Sequence, residues 1–153
     1  MTTTSPDPQP SAPLWVERVG TKTYVGRNDR GAEVRLGPHK DDGVFSPGEL
    51  LKIALAACSG MSAERAVQRR LGEETPIRVG VRSIPGPGQN RYARLLTEVV
   101  IPFEGLSPED TDLLVSVARR AIDAGCTVGR TLEANAHVEI NFSDAVVPAA
   151  TES

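Results

Sequence analysis

Residues 46–71, SPGELLKIALAACSGMSAERAVQRRL, restrict the fold more than any other stretch of this chain. Ser46 can accept a hydrogen bond from a free backbone N–H as N-cap, and Pro47 is pre-set for the first helical position. Glu49 then stands where a capping box places its acid. Leu50, Leu51, Ile53, Ala54, Leu55, Ala56, Ala57, Cys58 and Met61 follow, with Lys52 as the one polar interruption before Cys58. A helix apolar nearly all round belongs inside a structure rather than on its surface. From Glu64 the pattern becomes amphipathic, with Arg65, Gln68, Arg69 and Arg70 outward and Ala66, Val67 and Leu71 inward, until Gly72 ends it.

The flanking segments read as sheet. Residues 14–19 and 21–26 carry strand patterns, and Asn28-Asp29-Arg30-Gly31 is a turn cluster that leads into a third strand at 32–36. Beyond Gly72, residues 77–84 alternate apolar and charged side chains, and PGPGQN can only be a loop. Residues 92–103 form a longer strand. Ser107-Pro108 repeats the helix-start formula, and Leu113, Leu114, Val117, Ala118, Ala121 and Ile122 trace one face of a second helix, stopped at Gly125. A last strand is expected at 136–142. The order β-β-β-α-β-β-α-β is an α+β class, with helices packed on antiparallel sheets. The Thr/Ser/Pro-rich residues 1–12 read as a disordered tail, 13–143 as a single domain and 144–153 as a C-terminal tail.

A chain of 153 residues builds one ordinary core and no more. A few short strands around so apolar a helix leave it short of cover. A second copy supplies that cover, so an intertwined homodimer with an apolar interface is expected. The net charge of −3 gives no reason to expect nucleic acid as a partner. The longest apolar run is far short of a membrane span, and the N-terminus has no signal-peptide pattern. Two cysteines without an export signal point to a reducing, cytoplasmic setting, where a pair of thiols is reactive or simply buried. His39 and His137 have no partner at metal-ligand spacing, and PGPGQN lacks the Lys and helix of a phosphate loop. Arg65, Arg69 and Arg70 read as an outward helix face, and Met61 as core packing.

SPGELLKIALAACSGM followed downstream by CTVGRTLEANAHVEI resembles the OsmC/Ohr family of osmotically induced and organic-hydroperoxide-resistance proteins. Cys126, Val128, Thr131 and Leu132 match the family's second cysteine motif. The resemblance spans residues 15–142 and implies a domain-swapped dimer with active sites at the subunit interface. It also implies a peroxidase in which Cys58 attacks an organic hydroperoxide and Cys126 resolves the resulting sulfenic acid to a disulfide. An external dithiol, such as a lipoylated protein, is then the reductant, and no resident cofactor or metal is expected. The nucleophile must be a thiolate, which requires a pKa below the free value of about 8.5.

In the family an arginine polarises the peroxide and an acid holds the arginine. Arg27, in Gly26-Arg27-Asn28-Asp29, best matches the arginine, with Arg30 as the alternative. The acid is where this chain departs. The family's glutamate position falls on Gly48, and Glu49 is one step later, rotated about 100° around the helix. Glu49 is thus a candidate site residue and equally a capping residue. The departure favours a second reading, in which the dimer binds a small hydrophobic ligand or senses electrophiles without efficient turnover.

Overall fold

The computed structural model describes residues 6–143 and opens with three strands, Trp15–Gly20 (β1), Thr23–Arg27 (β2) and Glu33–Leu36 (β3). They form an antiparallel meander in that order. The first turn passes through Lys22 with φ of 52°. The second is closed by Asn28, whose Oδ1 accepts from the N–H groups of Arg30 and Ala32 at 3.0 and 2.9 Å. An asparagine side chain mimics a backbone turn in this way. The central strand carries Val25, 5 % exposed. The meander anchors one compact unit, and residues 48–140 form a second.

The second unit holds nearly all of the long helix Pro47–Leu71 (α1), the hairpin Arg78–Pro85 (β4) with Tyr92–Val100 (β5), and the helices Pro108–Gly125 (α2) and Thr127–Glu133 (α3). In the β4/β5 ladder Val79 faces Val99 and Val81 faces Thr97. β5 stops at Val100, two residues before Pro102, which cannot donate to a ladder. Val67, Ile101 and Leu114 form the core where α1, the end of β5 and α2 meet, with Leu71, Ile77, Val99 and Leu106 packed around them. Ser107 caps α2 by accepting from the Asp110 N–H at 3.1 Å, and the Asp110 carboxylate pairs with Arg70 of α1. Both helix-start signatures read from the sequence are therefore helix starts.

The structure differs from the sequence reading in three places. α1 buries only the stripe Leu55, Ser59, Ala63 and Val67, at i, i+4, i+8 and i+12, while Leu51, Ile53 and Met61 are exposed. Met61, expected in the core, is 75 % exposed, because one copy of the chain covers one face of this helix and no more. Residues 127–133, to which no element had been assigned, are the short helix α3. Finally, residues 136–142 form no strand, and Val138, Ile140 and Phe142 are 75 %, 76 % and 97 % exposed. Period-two alternation makes a strand only where a neighbour completes the ladder, and no neighbouring strand pairs with this segment. The tail proposed at 144–153, and the first five residues of the N-terminal tail, lie outside the described residues.

Candidate active site around Cys58 and Cys126

Cys126 is the joint between α2 and α3. Its N–H closes α2 by donating to the Ile122 carbonyl at 2.8 Å, and its Sγ opens α3 by accepting from the Gly129 N–H at 3.4 Å. A Cβ at Gly129 would sit 3.3 Å from that sulfur and 3.5 Å from Leu55 Cδ1, so the glycine lets α3 close tightly on Cys126. The Cys126 side chain is buried, and Ser59 Oγ of α1 lies 3.8 Å from its sulfur. Ser59 is the buried polar residue of the helix, and its hydroxyl finds its partner at this sulfur.

Cys58, the residue before Ser59, is half-buried and faces the same joint. The Val128 N–H points at its thiol and holds its pKa below the ordinary thiol value. The Cys126 thiol and the Thr127 N–H act in the same direction, and burial pushes against them. Hydrogen bonds to the charged form favour that form, and here three donors outweigh the desolvation. One turn further along α1, Ser62 Oγ donates to the Cys58 carbonyl at 2.8 Å. Both cysteines are free thiols. The arrangement thus offers a nucleophile shifted toward thiolate beside a second thiol placed to donate to it. A cavity of about 1030 Å³ opens on Cys126, with a mixed lining: Leu55, Leu96, Ile101 and Ile122 on the apolar side, and Arg91, Arg94, Arg119 and Arg130 with Asp123 and Glu133 on the polar side.

The structure therefore brings the two predicted cysteines together. Arg27 lies in the N-terminal unit, where its Nε donates to Glu33 Oε1 at 2.9 Å and its guanidinium stands 3.6 Å from Glu17. It is the less exposed of the two candidate arginines. Arg30 has a side chain 79 % exposed and, among the described residues, pairs with the adjacent Asp29 at 3.4 Å. Glu49 is half-buried in the first turn of α1. Gly48 has a structural cause: any side chain there would run into the Tyr92 hydroxyl, so the tyrosine fills the place of the missing glutamate. Lys52 Nζ lies 5.4 Å from the centre of the Tyr92 ring and 3.5 Å from Ser83 Oγ. Sequence reading missed Ser59, Thr127, Gly129 and Tyr92, and took Val128 as a motif match without the role of its amide. Ser59 alone carried a signal, as a polar residue in an apolar helix. The amides act through backbone position, which no side-chain pattern reports.

Among the described residues no helix is long and apolar enough to cross a membrane. The profile of the OsmC-like protein family matches residues 39–141. An uncharacterized protein of Mycobacterium tuberculosis is 44% identical over 131 residues, which are 86% of this chain and 96% of the relative. The crystal structure of an organic hydroperoxide resistance protein, OhrB of Bacillus subtilis, superposes with a TM-score of 0.55 at 17% identity, over 82% of this chain and 92% of that one. An OsmC-like protein of unknown function from Vibrio cholerae superposes with a TM-score of 0.59 at 13% identity, over 82% and 95%. The fold, the matched profile and the whole-length relative agree: this chain belongs to the OsmC-like family.

Proposed function

We propose that the protein is a thiol-dependent peroxidase for organic hydroperoxides, with Cys58 as the nucleophile. The observation that carries this reading is the Cys58 thiol, lowered in pKa by the Val128 N–H and flanked by the Cys126 thiol and the Thr127 N–H. The Cys58 thiolate attacks the distal oxygen of ROOH and the O–O bond breaks. Sulfur is oxidised to a sulfenic acid, and RO⁻ leaves as ROH after taking a proton. Cys126 then attacks the Cys58 sulfur, an S–S bond forms and water leaves. An external dithiol reduces the disulfide in two exchange steps, as in a reducing cytoplasm. Arg27, paired with Glu33 and Glu17 within the N-terminal unit, is the residue that the family resemblance offers for polarising the peroxide. Glu49, one step past the family's acid position, is the acid that the same resemblance offers. The functional unit is a homodimer, which gives the open face of α1 the cover that its composition calls for.

One observation favours the second reading, a dimer that binds a hydrophobic ligand or senses electrophiles. Tyr92 fills the position from which the family's glutamate acts. Consumption of cumene hydroperoxide with a dithiol, in wild type and Cys58→Ser, separates the two. Turnover lost in the variant is the expected result. A folded, reduced wild type that consumes no hydroperoxide would retire the enzyme and leave the ligand-binding protein.

A further inference from the structure

Cys58 shares a stripe of α1 with three residues that the proposed chemistry leaves unused. Cys58, Ser62, Arg65 and Arg69 follow at i, i+4, i+7 and i+11, so they lie on one side of the helix. At 1.5 Å per residue, Arg65 is about 10 Å and Arg69 about 16 Å along the axis from Cys58. Beside this stripe runs a cleft of about 420 Å³ between α1 and α2; Ser62, which lines it, donates its hydroxyl to the Cys58 carbonyl one turn away. Its apolar side includes Leu113 and Val117, 53 % and 38 % exposed. Its rim carries Arg65, Arg69 and Arg70, and no carboxylate lines it. Arg70 is neutralised by Asp110. Among the described residues Arg65 and Arg69 have no acidic partner, in a chain whose net charge is −3. Two uncompensated guanidinium groups at the far end of an apolar cleft suit a carboxylate at the end of an alkyl chain.

We propose that this cleft is a subsite for alkyl carboxylates, with the head held by Arg65 and Arg69 and the chain lying over Leu113 and Val117 toward Ser62, one turn of α1 from Cys58. As a ligand site it stands without the peroxidase reading. As a substrate subsite it rests on that reading and makes the two arginines selective for hydroperoxides that carry a distant carboxylate.

Calorimetric titration of the reduced protein with decanoate, 1-decanol and acetate tests the site without any turnover. Decanoate is expected to bind about tenfold or more tightly than either control, and to lose about tenfold in Arg65→Gln/Arg69→Gln. Both arginines are exposed, so the double variant keeps the fold. Decanol binding as tightly as decanoate, no decanoate binding, or undiminished binding by the variant would overturn the site. For the substrate role, the hydroperoxide of a long-chain carboxylic acid is compared with that of its methyl ester. The variant is expected to raise KM about tenfold for the acid alone, with kcat unchanged. A change in kcat alone, or an equal change for acid and ester, overturns that role. Turnover of cumene hydroperoxide without decanoate binding removes the subsite and keeps the peroxidase; decanoate binding without turnover of any hydroperoxide does the reverse.

Discussion

Cys58 and Cys126 differ in what surrounds each sulfur, and that difference sets their chemistry. The Cys58 sulfur collects the Val128 and Thr127 amides and the Cys126 thiol, which lower its pKa. Cys126→Ala removes one of those donors, so the pH profile of Cys58 alkylation by iodoacetamide is expected to move to higher pH. An unmoved profile would show that the Cys126 thiol does not support the thiolate. The same variant, given excess hydroperoxide, should accumulate sulfinic acid on Cys58, read by intact mass. The pH dependence of stability has a fixed sign. The folded pKa of Cys58 lies below its unfolded value, so its contribution to stability is fully present above the unfolded thiol pKa of about 8.5 and is lost as pH falls through the folded pKa. The difference in unfolding midpoint between wild type and Cys58→Ser should therefore shrink in wild type's disfavour as the buffer is taken down through that window. Gly48 makes an opposite case, where a small side chain is required. A Gly→Ala change in a helix ordinarily stabilises by up to about 1 kcal/mol. At Gly48 the Tyr92 hydroxyl occupies the space, so Gly48→Ala is expected to destabilise by about 1–3 kcal/mol in urea unfolding. Adding Tyr92→Ala should reverse the sign of the Gly48→Ala step, and a stabilised single variant would contradict the overlap.

Elements whose cause is local were legible in the sequence. Ser46-Pro47 and Ser107-Pro108 start α1 and α2 where the caps placed them, and Gly72 with its φ of 104° follows the last turn of α1. The first three strands and the β4/β5 hairpin follow from alternation and turn residues, with ends shifted by a residue or a few. The pairing of Cys58 with Cys126 was not legible from spacing; only the resemblance brought them together. Nor was α3, since Thr127, Val128 and Thr131 are β-branched and favour extended structure on their own. The segment folds as a helix because the Cys126 Sγ caps it and Gly129 lets it close. The segment 136–142 errs in the other direction. Its alternation is a strand signal, and among the described residues β4 alone pairs with β5, so that no described strand occupies the other edge of β5. In the proposed dimer this segment is expected to join a ladder. Amide exchange at Val138 and Ile140 should then be slowed well beyond that of a free peptide at micromolar protein. Exchange at the free-peptide rate would mean that the alternation has no partner to serve.

At the scale of the whole molecule, the unsolved cover of α1 becomes a statement about assembly. The helix presents Ile53, 42 % exposed, and Met61, 75 % exposed, with Ala54 and Ala57 exposed on the same side. Small residues between two larger apolar ones let a second helix approach closely, and the stripe carries no charge until Glu64 and Arg65. A soluble monomer seldom leaves such a stripe open, and in the proposed homodimer a second copy of the same stripe would cover it across a two-fold axis. Each residue on that axis then faces its own equivalent, so one substitution acts twice. Met61→Glu places a pair of carboxylates against an apolar surface, and it is expected to weaken dimerisation about a hundredfold or more in sedimentation at micromolar concentration. Because Met61 is exposed within a single copy, the variant should retain its helical circular dichroism. Activity then reports where the site is completed. If the dimer supplies part of the site, dissociated Met61→Glu should lose hydroperoxide turnover while Cys58 remains rapidly alkylated, since the Val128 and Thr127 amides come from its own chain. Full turnover by a monomeric variant would confine the whole reaction to one copy, and a wild type that sediments as a monomer would remove the dimer itself.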